Sequence, residues 1–170
     1  VERPIEVSFL SGQGASYPRN LILAGAGAKA SVVEHYLGQG GESYVINSVT
    51  ELQAAAGAHV RRYKIQQEAM GASHMATLAG QLDDDARFEN FDLNRGGQLV
   101  RSEIHMALQG PGANATLNEI YLLRGKQHCD NAIWMDHVVG GNTSHQDYRG
   151  ILDDRAHAVF QGKITVRRDA

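Results

Sequence analysis

A period constrains this chain more than any motif does. Short runs of alternating apolar and polar residues recur along it, and a small residue opens each of the clearest ones. Ala28 precedes KASVVEHY, Ala58 precedes HVRRYKI, Ala86 precedes RFENFDL, Ala113 precedes NATLNEIYLL and Ala156 precedes HAVFQGKITV. Counted on to Ala170, the gaps of 30, 28, 27, 43 and 14 residues lie near multiples of 14, and weaker runs from Ser43, Ala72, Leu99, Gln127 and Asn142 fill the empty slots. Alternation of period two marks a half-buried strand. The clusters between runs, GQGGES (38–43), LDDDAR (82–87), NRGG (94–97), QGPGAN (109–114), VGGNTS (139–144) and DDRA (153–156), supply the Gly, Asn and Asp that turns need. Helical spacing is nearly absent. ELQAAAGAH is the one stretch where a short helix competes, and Gly57 interrupts it.

About a dozen strands at this spacing fit a closed antiparallel barrel or sandwich, or a parallel β-helix whose coils stack like residues on like. The strongest small-residue markers, continued by Asn142 and Ala170, return near every 28 residues. That is two strands per coil with one residue type always on the same side, a phase an antiparallel meander has no reason to keep. The pattern therefore favours an all-β parallel β-helix of six coils, a rod on the order of 30 Å long at about 4.8 Å per coil. Ala170 would open a further repeat, so the sequence reads as the centre of something longer, since an open coil exposes unpaired strand groups.

Composition agrees. The chain has 19 Gly and only 3 Pro, against about 12 and about 8 at average usage, as many tight turns and small packed side chains would require. No apolar run approaches the length of a membrane span, and the start, VERPIEVSFL, lacks the basic and apolar regions of a secretion signal. A lone cysteine, Cys129, excludes an internal disulfide framework and fits a reducing compartment, so the cytoplasm is expected. A net charge of −3 gives no footprint for nucleic acid or anionic lipid.

Candidate chemistry is sparse. Gly25–Ala30 (GAGAKA) matches a dinucleotide-binding fingerprint, but that motif needs a helix directly after it, and SVVEHY is β-branched and alternating. A glycine turn between strands is the better reading. Eight histidines are spread along the chain, with His128, His137, His145 and His157 near Cys129, Asp130, Asp136 and Asp147. No metal-binding spacing links them. His128 and Asp130 share a strand face that Cys129 does not, and only stacked coils could gather His128, His145 and His157. Surface-facing histidines are expected. The triplet Asp83, Asp84, Asp85 and the pair Asp153, Asp154 read as turn residues rather than paired catalytic carboxylates or calcium ligands. Cys129 has no neighbouring base or basic cluster in the sequence to activate it. No catalytic, cofactor-binding or metal-binding residue is assigned on these grounds.

Four longer segments carry a resemblance: PRNLILAGAGAKASVVEHY (18–36), NSVTELQAAAGAHVRRYKIQQE (47–68), GGQLVRSEIHMALQGPGANA (96–115) and SHQDYRGILDDRAHAVFQGKITVRRDA (144–170). They resemble the core domain of the SufB/SufD family of iron–sulfur cluster assembly. ERPIEVSF and QHCDNAIWMDH are similar to the SufD branch. The resemblance implies a right-handed parallel β-helix over residues 1–170, cut before a C-terminal helical domain on which the ATPase SufC docks. It implies a non-enzymatic scaffold partnered by SufB and SufC, with the cluster held transiently in the whole complex and no cofactor in this segment. Whether a flavin binds is left open. Self-association through an open end or edge of the β-helix is also expected. A polysaccharide-acting β-helix enzyme and a dinucleotide-binding enzyme are the rival readings.

Overall fold

The computed structural model describes residues 3–40, 43–168 and 170, and all the regular structure among them is β. The strands are β1 (Ile5–Ser11), β2 (Gly14–Ser16), β3 (Arg19–Ala24), β4 (Lys29–Gly38), β5 (Tyr44–Ala54), β6 (His59–Gln67), β7 (Ala72–Leu82), β8 (Arg87–Asn94), β9 (Leu99–Leu108), β10 (Asn114–Leu123), β11 (His128–His137), β12 (Thr143–Leu152) and β13 (His157–Val166). One sheet runs β1-β4-β6-β8-β10-β12. The other runs β13-β11-β9-β7-β5, with β2 and β3 sharing the far side of β5. Every pairing is parallel, each strand meeting its counterpart one coil away. The chain is a parallel β-helix of six coils, two strands to a coil; the barrel and sandwich are excluded because neither is built from parallel neighbours one coil, 26 to 30 residues, apart.

The small-residue period has a specific origin. At the corner leading into the first sheet, Gly27, Gly57, Asp85, Gly112 and Gly141 all have φ between 54° and 80°. Each is followed by Ala28, Ala58, Ala86, Ala113 or Asn142. The first three corners are β-turns closed by the alanine: Ala28 N donates to Gly25 O at 3.0 Å, Ala58 N to Ala55 O at 2.9 Å and Ala86 N to Asp83 O at 3.1 Å. A left-handed third position suits Gly, or an Asp that tolerates it. Successive corners then stack, Gly27 N on Ala56 O, Gly57 N on Asp84 O and Asp85 N on Pro111 O, at 2.8–2.9 Å. Ala58, Ala86 and Ala113 are wholly buried beneath them. Asn142 replaces the alanine on the sixth coil, and its Oδ1 accepts from Ala113 N at 3.0 Å.

ELQAAAGAH is not helical. β5 continues through Ala54, and residues 55–58 form one of these corners. Among the turns read from sequence, GQGGES includes Gly41 and Glu42, which lie outside the described residues.

The interior divides lengthwise. Where β5, β7, β9 and β11 end and the first sheet begins, it is apolar: Val60, Leu82, Phe88, Leu108, Leu117 and Met135 belong to one continuous cluster. Toward the ends of the first sheet's strands buried charges enter the interior, beside two small apolar clusters, one around Tyr36 and Ile46 and one around Val100, Leu123 and Cys129.

Candidate functional site

The polar half of the interior holds the chain's densest chemistry. Glu34, Lys64, Asp92 and Glu119 are register partners on four successive coils and form a single inward column. Beside it run Arg62 and Asn90. All six are buried. Arg62 donates from Nη2 to Glu34 Oε2 at 2.7 Å and from Nε to Glu34 Oε1 at 3.0 Å, and its Nη1 reaches Asn90 Oδ1 at 2.9 Å and Asp92 Oδ1 at 3.3 Å. Lys64 Nζ lies 3.1 Å from Asp92 Oδ2 and donates to Ser102 Oγ at 3.0 Å. Glu34, Arg62, Lys64 and Asp92 thus each have an opposite charge in reach, the condition under which a low-dielectric interior tolerates ions. Burial pulls the Arg62 guanidinium toward neutrality, but the Glu34 and Asp92 carboxylates outweigh it and hold it charged. Burial likewise opposes the Asp92 carboxylate, and Lys64 and Arg62 overcome that and keep it ionised.

Among the described residues Glu119 has no cation within ion-pair reach. Its Oε1 accepts from Asn94 Nδ2 at 2.8 Å, from Asn131 Nδ2 at 2.9 Å and from the Cys129 thiol at 3.8 Å. Its Oε2 has no partner among the described residues. Burial, and next the charge of Asp92, push the Glu119 carboxyl up to about 7. The same burial, reinforced by Glu119, raises the Cys129 thiol far above its ordinary range. Cys129 is therefore a protonated core residue. The absence of an activating base in its sequence neighbourhood is matched in space by a carboxyl that disfavours the thiolate.

A second buried pair joins His74 Nδ1 to Glu68 Oε2 at 2.8 Å, both side chains fully enclosed. Burial lowers the His74 imidazole below its ordinary value, with Glu68 opposing. Tyr36 stands edge-on to it at 4.8 Å. The sequence expectation of surface-facing histidines fails here, because His74 sits at an inward position of β7 and shares the polar interior with Glu68 and Gln66. It holds for six of the other seven, which lie at outward positions; His137 continues the inward column of Leu108 and meets Ser144 Oγ of the facing sheet at 3.0 Å, half-buried.

The remaining sequence candidates fall as follows. Gly25–Ala30 is the first corner turn and the start of β4, with strand rather than helix after it, so it offers no phosphate-binding helix end. Asp85 and Asp154 occupy left-handed turn positions. Of the three histidines that stacking was to gather, β11 and β13 bring His128 and His157 together, whereas His145 lies on β12 in the other sheet. On the outer face of the second sheet, Leu21, Glu51, Ala79, His105, Trp134 and Lys163 form one register column. It lines a groove of about 590 Å³ in which His105 and Trp134 stack at 4.3 Å. Nothing in the sequence period distinguished that column, because outward positions carry no burial constraint. Among the described residues no three metal-ligating side chains cluster, and no helix is long and apolar enough to cross a membrane.

Residues 8–170 match the family model for the SUF system FeS cluster assembly, SufBD core domain. The iron-sulfur cluster assembly protein SufD of Escherichia coli is 28% identical over 156 residues, covering 92% of this chain and 37% of that protein. The chloroplastic protein ABCI7 of Arabidopsis thaliana is 27% identical over 183 aligned positions, covering 100% of this chain and 38% of that protein. The chain thus spans well under half the length of these relatives.

Proposed function

The chain belongs to the SufBD family, and from that premise we propose that it is the β-helical scaffold of a SufD-like subunit in iron–sulfur cluster assembly. It acts by association with SufB-like and SufC-like partners rather than by catalysis. The observation that carries this reading is the family match across residues 8–170. The chemistry supports it: the buried cations are engaged within the interior, Arg62 with Glu34 and Asp92 and Lys64 with Asp92. Such a rod is a rigid platform on which partners assemble. The cluster is cargo, and a single buried thiol cannot furnish a set of thiolate ligands, so in the working complex they come from elsewhere.

The test is co-expression of the full-length protein with its SufB and SufC homologues, carrying an affinity tag on one partner. Co-purification as a complex is the expected result. Failure to co-purify under conditions where each subunit is soluble would remove the assignment.

A further inference from the structure

His128 and His157 open β11 and β13 and are direct register partners on adjacent coils. Their backbones are fixed just past the turns, His128 N donating to Gln98 O and His157 N to Gln127 O, each at 2.9 Å. The two rings lie nearly parallel, 9° apart with centroids at 5.0 Å, and their Nδ1 atoms are 3.1 Å from each other in an exposed position. Two neutral imidazole nitrogens at that distance need a proton between them, so one ring carries Nδ1–H and the other presents an Nδ1 lone pair.

We propose that this pair is a bis-imidazole clamp for a divalent transition ion of the zinc type. Two imidazole nitrogens bound to one tetrahedral zinc at 2.0–2.1 Å stand roughly 3.3 Å apart, so the observed separation is already within a few tenths of an ångström of a chelating pair. The rings need turn only about their Cβ–Cγ bonds, a torsion with a broad minimum in histidine. Binding moves the proton of the donor ring from Nδ1 to Nε2, a tautomer change with no net proton release, and the ion takes the place of the shared hydrogen. Imidazole is a suitable ligand for zinc, nickel and copper. Asp130, two residues along β11, is held by Arg101 Nη1 at 2.6 Å, and Asp154 Oδ2 accepts from Gly125 N at 3.1 Å. Among the described residues no third metal-ligating side chain joins the pair, so the other coordination positions go to water. A chelate at this exposed pair would tie the fifth coil to the sixth.

The experiment is a titration of the full-length chain with zinc chloride by isothermal calorimetry, beside the variants His128→Ala, His157→Ala and His145→Ala. Circular dichroism is the check that each variant is folded. One zinc site is expected to disappear in both clamp variants and to persist in His145→Ala, which removes an exposed histidine of the other sheet. In proton NMR the imidazole resonances of His128 and His157 should move together over that same equivalent. Undiminished binding in either clamp variant, equal loss in His145→Ala, or no zinc heat at all would overturn the proposal.

Discussion

Asp92 and Glu119 are stacked register partners in the interior column, and the fold treats their carboxyls in opposite ways. Asp92 lies against Lys64 and Arg62 and is held ionised. Glu119, one coil further on, faces Asn94, Asn131 and Cys129 and feels the charge of Asp92 as repulsion. One coil of displacement along a shared column separates a paired ion from a carboxyl that prefers its proton.

That difference makes stability depend on pH in a definable window. The Glu119 carboxyl is raised from 4.5 to about 7 in the fold. Between these values the folded chain holds a proton that the unfolded chain has released, so this residue's contribution falls as pH rises from about 4.5 to 7 and is constant above that. The full shift corresponds to on the order of 3 kcal/mol. Glu119→Gln keeps an Oε1 acceptor for the two asparagines and cannot ionise. Urea unfolding should show the variant close to wild type at pH 5 and more stable at pH 8. His74, lowered by burial, works the other way, its contribution being lost as pH falls, which is why the comparison is made between variant and wild type. Equal stability differences at both pH values would refute the Glu119 account.

Arg62 is the cation shared by two buried carboxylates. Arg62→Met would leave Glu34 facing no charge and Asp92 only Lys64, and breaking a buried pair by removing one partner costs about 3–5 kcal/mol. Adding Glu34→Gln to that variant should restore part of the loss, because the uncompensated charge goes. A single-variant cost under about 1 kcal/mol in chemical denaturation would mean that the network relaxes onto water.

Cys129 is fully buried and its thiol is held protonated by burial and by Glu119. Only the thiolate attacks alkylating agents, so iodoacetamide should label this cysteine slowly in the native chain and rapidly in urea. Labelling at the rate of a free thiol in the native state would contradict the packing.

Much of the fold was legible because corners repeat. A tight left-handed turn followed by a buried small residue leaves Ala28, Ala58, Ala86 and Ala113 visible at gaps of 30, 28 and 27. The interior charges follow the same gaps, since Glu34, Lys64, Asp92 and Glu119 are also 30, 28 and 27 apart, so the column was present in the sequence at the phase of the alanines. It went unread because alternation assigns polar residues outward, and only ion pairing across coils, which no single strand records, makes them inward. His74 escaped for the same reason, its partner Glu68 lying beyond the end of the preceding strand. The approach of His128 to His157 could be anticipated from stacking alone, but their nitrogen-to-nitrogen distance depends on register.

The last coil bears on association. Phe160 and Ile164 continue the inward columns of Asn131 and Met135, which are buried one coil earlier, yet they are 46% and 57% exposed. β12 and β13 also each lack a second strand neighbour among the described residues. Unpaired strand groups beside apolar side chains are a template for adding another strand. The 170-residue chain by itself should therefore self-associate, its sedimentation coefficient rising with concentration. Ile164→Lys should suppress this, while Tyr63→Lys, an outward change on β6 away from the end, should not. A single monomeric species across the concentration range would show that these edges are blunted in solution, and suppression by both substitutions would show that contact lies on the side of the rod instead.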